Sequence, residues 1–389
     1  MKLEVINLGD AATFINGYPF NPNEWKTKGL EIIRIQNLTG SGKDINYFDG
    51  QLNEKYKVRK GDLLISWSAT LGIYEWKRKD AWLNQHIFKV VLDKKEIDKS
   101  FFKHLVSNLL NKMNQQVHGS TMKHITKERF DKIKIPLPPL PQQKRLAEIL
   151  DKADLLRQKN KEILAAYDEL LQAVFLDMFG DPVRNEKGWE KKTLKEVCVK
   201  ITDGTHHSPP ITERGVPYIT AKHVKRYGLD FNVAPSFISE EHHIPIYKRC
   251  NPEKGDVLYI KDGATTGIAA INTFEYEVSL LSSLALLKPN YEIISNYYLC
   301  FWLNEERIKA QYIKNNMSGS AIQRYTLKKI CEFDILIPPI NLQNHFAQIV
   351  QNIEAQKELV KKSMQESEDL FNGLVQQAFN GELMKNNII

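Results

Sequence analysis

"IPLPPLPQQKRLAEIL", residues 135–150, returns two hundred residues later as "LIPPINLQNHFAQIV", residues 336–350. Both stretches carry two adjacent prolines, then an apolar residue, then a glutamine-bearing start to a run with helically spaced apolar residues. Proline cannot sit in a helix interior and disfavours helix in the residue before it, so each pair fixes where a helix starts. A chain that places the same proline-stopped helix in its middle and near its end is expected to consist of two copies of one unit.

The match extends well beyond the helix starts. "RKGDLLISWSATLGI" (59–73) pairs with "EKGDVLYIKDGATTGI" (253–268), and "HGSTMKHIT" (118–126) pairs with "MSGSAIQRYT" (317–326). "IIRIQNL" (32–38) pairs with "YITAKHV" (218–224). From Gly119 to Phe179 the offset is a constant 200, whereas upstream it drifts between about 186 and 195. The helices are therefore held to one length while the segments before them vary by insertion.

Each copy opens with short β-rich runs ("EIIRI", "DLLISW", "HIFKVVL"; "VPYIT", "DVLYI", "SLALLK") separated by Gly, Asn and Asp turns. A helical stretch follows, "SFFKHLVSNLLNKMNQQ" in one copy and "SNYYLCFWLNEERIKAQYI" in the other. The expected fold class is α+β, with two globular, mostly-β domains and an internal pseudo-two-fold repeat of about 200 residues. The domains are expected at 1–140 and 181–340, and the two long helices at 141–180 and 341–389, the last with a C-terminal tail.

In the first helix Leu146, Ile149, Ala153, Leu156, Asn160, Ile163, Tyr167, Leu170 and Val174 follow alternating steps of three and four. The second gives Phe346, Ile349, Ile353, Gln356, Val360, Ser363, Ser367, Leu370 and Leu374. A stripe repeating every 3.5 residues is a coiled-coil seam. Each helix could pack on its own domain alone. Two seamed helices of equal length favour antiparallel pairing, with the polar seam residues specifying register. The prolines place both starts, Gly180-Asp181-Pro182 ends the first helix and Gly381 the second. Asn341-Leu342 stands where the first copy has Pro141-Gln142, so the second helix is expected to begin slightly differently. Roughly 38 residues at ~1.5 Å each make a rod of about 57 Å, the length of about 17 base pairs of duplex DNA.

No apolar run reaches the ~18 residues of a membrane span, and "MKLEVINLGD" has no export signal, so a cytoplasmic protein is expected. Cys198, Cys250, Cys300 and Cys331 are widely spaced and show no CxxC, which reads as reduced thiols. Lys plus Arg exceed Asp plus Glu by 23 to 15 over residues 1–140, and by 21 to 19 over 181–340. The positive excess thus lies in the globular segments, which suits a polyanion without proving one.

Catalytic motifs are weak. "SPPI" (208–211) lacks the aromatic of an amino-methyltransferase loop, and no S-adenosylmethionine glycine loop occurs. "EKK" at 190–192, with Asp181 upstream, is a chance-level nuclease string. "GATTG" (263–267) lacks the Gly-Lys-Ser/Thr of a phosphate loop, and His206-His207 and His242-His243 have no metal-ligand pattern. What remains is binding chemistry. Loops such as "INGYPFN", Arg34-Ile35-Gln36-Asn37, "SWSAT", "LNQH", "TDGTHHSPP" and "KDGATTG" interleave amide, hydroxyl and basic groups with aromatics. Such groups hydrogen-bond base edges and phosphates.

These stretches together resemble the specificity (S) subunit of type I restriction-modification systems. "KIPLPPLPQQKRLAEIL" (134–150), "ILIPPINLQNHFAQIV" (335–350), the two Lys-Gly-Asp runs, "GSTMKHIT" and "SGSAIQRYT" carry the resemblance, which covers essentially the whole chain. It implies two target recognition domains, each reading half of a split double-stranded DNA site, separated by antiparallel coiled-coil helices that set the spacing. It implies docking of two methyltransferase (M) subunits and of nuclease (R) subunits. S-adenosylmethionine, ATP and magnesium would then belong to those partners, leaving this chain non-catalytic and without cofactor or metal. Backbone contacts are implied for Gly119, Ser120, Thr121 and Lys123, and for Gly319, Ser320, Gln323 and Arg324. Arg34, Gln36, Trp67, Lys222, His223, Lys261 and Thr265 are the base-side candidates. Leu146, Ile149, Leu156, Ile163, Tyr167, Leu170, Phe346, Ile349, Ile353, Val360 and Leu370 are the candidates for partner-binding helix positions. The alternative is a coiled-coil scaffold protein that touches no DNA.

Overall fold

In the computed structural model, which describes residues 4–42, 44–68, 70–116, 126–316 and 324–379, both copies of the proline–glutamine stretch make the same bonds. The side-chain Nε2 of Gln143 donates to the carbonyls of Pro138 at 2.8 Å and Glu96 at 3.2 Å. Its Oε1 accepts from the Asp98 N–H at 2.9 Å. Gln343 repeats the set with Pro338 at 2.8 Å, Ile293 at 3.1 Å and the Ser295 N–H at 2.9 Å. A primary amide offers two donors and an acceptor in one plane. One buried side chain therefore ties the helix start to the loop that enters the domain's own helix.

The two long helices, Leu140–Phe179 and Ile340–Phe379, are 40 residues each. Contrary to expectation they start at equivalent positions. The Gln142 N–H bonds Pro139 O and the Leu342 N–H bonds Pro339 O, each at 2.9 Å. Pro141 sits in the first turn, where the N–H groups have no intrahelical acceptor, so it changes nothing. Gly180, at φ +79°, turns the chain out of the first helix. Gly381, the expected end of the second, lies outside the described residues.

The chain forms two units, Met1–Lys161 with Lys362–Ile389, and Glu162–Lys361. Each holds one β-rich domain with half of each long helix. In the first unit Thr13–Asn16, Ile87–Val91, Leu63–Ser66 and Gly72–Glu75 form an antiparallel sheet in that order. The second unit repeats it with Cys198–Asp203, Leu284–Pro289, Val257–Ile260 and Ala269–Ile271. A smaller sheet in each contains one parallel pair, Leu30–Ile33 with Ala81–Leu83 and Val216–Ile219 with Ser279–Leu280.

The repeated Lys-Gly-Asp is a turn. The Asp62 carboxylate accepts the Arg59 N–H at 2.8 Å, and Asp256 accepts that of Glu253 at 2.7 Å. The intervening Gly61 and Gly255 both lie at φ +96°, where a Cβ would be strained. This turn feeds the central strands Leu63–Ser66 and Val257–Ile260, whose residues are all buried.

Within each unit the helix halves pair antiparallel, but on a seam shifted from the expected one. Leu146, Ala153, Asn160 and Tyr167 do face inward or partly inward, as do Phe346, Ile353, Val360 and Ser367. Between them the inward positions are Leu150, Arg157, Leu164 and Leu171, and Val350, Lys357, Met364 and Phe371. Ile149 and Ile349 are half-buried, while Leu156, Ile163, Leu170 and Leu370 are 42–52 % exposed. The shift arises because two seam positions carry cations, which an apolar pattern passes over although their aliphatic stems pack. Arg157 reaches Glu368 at 3.0 Å and stacks on Phe371. Lys357 reaches Asp168 at 2.8 Å. The pairs are reciprocal, since 157 and 168 become 357 and 368 on adding the repeat length. Beside the first, the Asn160 Nδ2 donates to the hydroxyls of Ser363 and Ser367 at 3.3 Å.

Replacing Leu150 by Ala should cost about 2–5 kcal/mol, while Leu156→Ala should stay within about 0.5 kcal/mol. Gln143→Ala and Gln343→Ala should each cost about 1–3 kcal/mol by orphaning buried backbone groups. Denaturant unfolding of the full chain checks all four.

Candidate nucleic-acid interface

In each unit several loops meet at one end of the sheets, and backbone bonds hold them together. In the first unit the Tyr18 N–H bonds Leu83 O at 2.8 Å and the Gln85 N–H bonds Tyr18 O at 3.0 Å. In the second, the N–H groups of Thr205 and Ser282 make the matching bonds to Leu280 O and Thr205 O at 2.8 and 2.9 Å. Gly17 and Gly204 allow this approach, since a Cβ on either would lie 2.0 Å from a carbonyl oxygen.

Arg34 and Gln36 come together here. With Asn84 and His86 they line a recess of about 150 Å³. The Arg34 guanidinium lies 4.9 Å over the Trp25 ring and donates to Asn46 Oδ1 at 3.1 Å, which holds its fork in one orientation. Trp67 is half-buried, stacked on the core residue Phe88 at 5.7 Å and beside His86 at 5.6 Å, so its ring packs as well as borders the loops.

In the second unit Lys222 occupies the turn position of Gln36. It is exposed and its Nζ donates to Ser236 Oγ at 2.8 Å. Thr265 is exposed, and Arg324 is exposed with Nε 3.5 Å from Asp262. The structure does not present His223 or Lys261 to a base. Lys261 is buried, 3.3 Å from the buried Asp203. His223 is buried; its Nδ1 accepts the Thr220 N–H at 3.0 Å and its Nε2 donates to Ala234 O at 2.8 Å. Asn37 caps the matching turn, accepting the Arg34 N–H at 3.0 Å. His223 is thus a capping residue. Gly119, Ser120, Thr121, Lys123, Gly319, Ser320 and Gln323 lie outside the described residues.

The second unit also has a cleft of about 430 Å³ lined by Gly204, Thr205, His207, Pro210, His242 and Arg249, among others. Arg249 bonds Asp203 at 2.6 Å, and His206 lies 3.3 Å from the same carboxylate. No sequence pattern singled out Arg249. It comes from the helix Glu240–Arg249, far along the chain from Asp203, and only folding brings the two together. Burial pushes the thiols of Cys198, Cys250 and Cys300 up to about 12, which removes them as nucleophiles. Among the described residues no cluster of three or more His, Cys, Asp or Glu could hold a metal ion. No described helix is long and apolar enough to cross a membrane. The assembled chemistry is cationic, amide and aromatic, suited to recognition.

Burial lowers the pKa of His223 below its ordinary value of 6.5. The unfolded histidine takes a proton that the folded one refuses. Its contribution to stability is therefore complete above about pH 6.5 and falls as the pH drops below it. His223→Asn, which copies Asn37, should keep the cap and flatten that acid decline in thermal melts at about pH 5 and about pH 7.5.

Two segments, residues 2–165 and 186–368, match the family model for the type I restriction modification DNA specificity domain. The specificity subunit of the type I restriction enzyme EcoBI of Escherichia coli is 25% identical over 412 residues, covering 97% of this chain and 85% of that protein. A putative type I restriction enzyme MjaX specificity subunit of Methanocaldococcus jannaschii is 24% identical, covering 94% of this chain and 90% of its own. Among solved structures, the S subunit of a type I restriction-modification system from M. genitalium superimposes with a TM-score of 0.55 at 16% identity. That superposition covers 97% of this chain and 96% of that one. A chain from a study of complex assembly in a type I system gives 0.53 at 19% identity, covering 97% and 99%.

Proposed function

The chain belongs to the type I restriction modification DNA specificity domain family, and from that premise we propose that it is the sequence-reading, non-catalytic subunit of a type I restriction-modification complex. Each unit reads one half of a bipartite duplex site through its loop end. The observation that carries this reading is the duplicated loop frame, built by identical backbone bonds yet furnished with different recognition side chains. Arg34 and Gln36 border the recess of one unit, while Lys222, Thr265 and Arg324 are exposed in the other. Arginine and glutamine are the bidentate readers of guanine and adenine edges, and lysine suits phosphate or guanine. Residues 119–123 and 319–324 serve the DNA backbone.

The long helices set the gap between half-sites and dock the methyltransferase subunits, one on each unit. Solvent-facing apolar residues on these helices support the docking. They are Leu155, Leu156 and Leu370 in the first unit, and Ile163, Leu170 and Leu359 in the second. Leu170 and Leu370 are repeat equivalents. Nuclease subunits join the same complex, and S-adenosylmethionine, ATP and magnesium act on the partners.

Co-expression with the methyltransferase subunit, followed by sequencing for N6-methyladenine, should give a split motif with a fixed gap. A continuous motif would remove the two-reader arrangement. Duplex binding by the complex should weaken steeply as salt rises; an affinity indifferent to salt would favour a scaffold that makes no phosphate contacts. Arg34→Ala should relax one half-site, by about 1–3 kcal/mol of discrimination, and leave the other unchanged. Leu170→Asp with Leu370→Asp should leave the melting temperature within a few degrees while abolishing co-purification of the methyltransferase.

A further inference from the structure

The repeat supplies its own comparison for a groove that the proposed function does not use. In the second unit the turn at Arg226-Tyr227 lies against the domain helix Asn296–Asn304 and the first long helix. Tyr227 stacks on Phe301 at 4.2 Å with the rings 18° apart. The Arg226 guanidinium donates to Asn304 O at 2.9 Å and Gln172 Oε1 at 3.2 Å, and lies 3.4 Å from Glu306. Tyr227 adopts φ +69°, the left-handed backbone required in the two-residue hairpin turn that joins Val224–Lys225 to Gly228–Leu229.

The corresponding residues of the first unit follow from the glutamine clamps and the helix repeat. Asp98 and Ser295 donate to equivalent glutamines, which puts His104 at the place of Phe301 and Ser107 at that of Asn304. The 200-residue helix repeat puts Asn372 at the place of Gln172. All three line a groove of about 630 Å³, together with Asn108, Phe371 and Gln376. His104 is held rigid by Asp151 at 2.7 Å, with its ring 5.9 Å from Phe371. Glu368, whose side chain is 40 % exposed and already bonds Arg157 at 3.0 Å, lies at the edge of the groove, which Lys112 also lines.

We propose that this groove is a protein-docking socket, taken once per chain by a partner segment that presents an arginine beside an aromatic residue, the chemistry with which Arg226 and Tyr227 close the equivalent place in the second unit. The arginine would reach the amide oxygen of Asn372 and the hydroxyl of Ser107, and would share Glu368 with Arg157. The aromatic ring would lie on His104 and Phe371.

The probe is a cyclised peptide of the chain's own turn, Val224–Phe231, titrated calorimetrically onto the full chain. Saturable binding at one site per chain is expected. It should fall by about tenfold or more on Gln376→Trp, which fills the groove from an exposed helix position, and on Arg226→Ala within the peptide. No saturable binding, or equal binding to the Gln376→Trp chain, would overturn the socket. A full chain carrying Arg226→Ala and Tyr227→Ala should bind two peptides, provided that its melting shows it folded; a folded variant that still binds one overturns the equivalence. Should it not fold, the Gln376→Trp comparison decides alone. Duplex DNA binding of Gln376→Trp, measured alongside, reports on the recognition function separately.

Discussion

Each unit depends on one buried primary amide. Gln143 or Gln343 must at once satisfy the end of the proline stretch, the carbonyl ahead of the domain helix and the first N–H of that helix's approach. In a low-dielectric interior such a network is strong when complete and costly when one member is missing. That requirement fixes where the long helix leaves its domain, and hence which face it turns inward. The prolines only stop the chain from being helical too early; the glutamine decides what the new helix is attached to.

Given that attachment, the seam follows from reciprocal chemistry. Arg157 with Glu368 and Lys357 with Asp168 are one salt bridge used twice, in a part-buried setting where the pair also packs its methylene stems. Such bridges add modest stability but penalise misregister, because a slip would leave a charge against apolar neighbours. The Asn160 layer is different. Its partners Ser363 and Ser367 have Ile163 and Tyr167 as repeat equivalents, and Asn160 itself corresponds to Val360. The amide–hydroxyl layer therefore distinguishes the two halves, which the duplicated salt bridges cannot do.

The duplication, the fold class, the proline-set helix starts and the Gly180 stop were legible in the sequence, because proline, glycine and a strict repeat act locally. The seam was legible at every other position and, beyond those, at Ser363, which meets Asn160. Cationic seam residues carry no apolar signal, and the neighbouring leucines offered an equally periodic stripe. Among candidate recognition residues, Arg34, Gln36 and Lys222 stand on short turns at the loop rim, a placement that rests on local spacing. His223 and Lys261 were misplaced for one reason. A polar residue in a loop can turn inward to bond a backbone group or a buried carboxylate, and only the packed structure shows that Ala234 O and Asp203 are waiting there. In the sequence Lys225-Arg226 reads only as one more basic pair among the binding loops, since the meaning of the Arg226-Tyr227 turn lies in what the other unit lacks at the same place.

The comparison of Asn37 with His223 shows how such a frame can vary without breaking. Two different side chains accept the same backbone N–H at the same 3.0 Å, so the turn survives the exchange. One position earlier, Gln36 and Lys222 sit on that preserved turn free of any capping duty. An amide there can hold adenine bidentately, whereas an ammonium cannot. With the frame held by backbone bonds and the glycine approaches, the side chains at its rim can change without structural penalty. Under the proposed function, the two half-sites should therefore differ in sequence, although the two readers share one architecture.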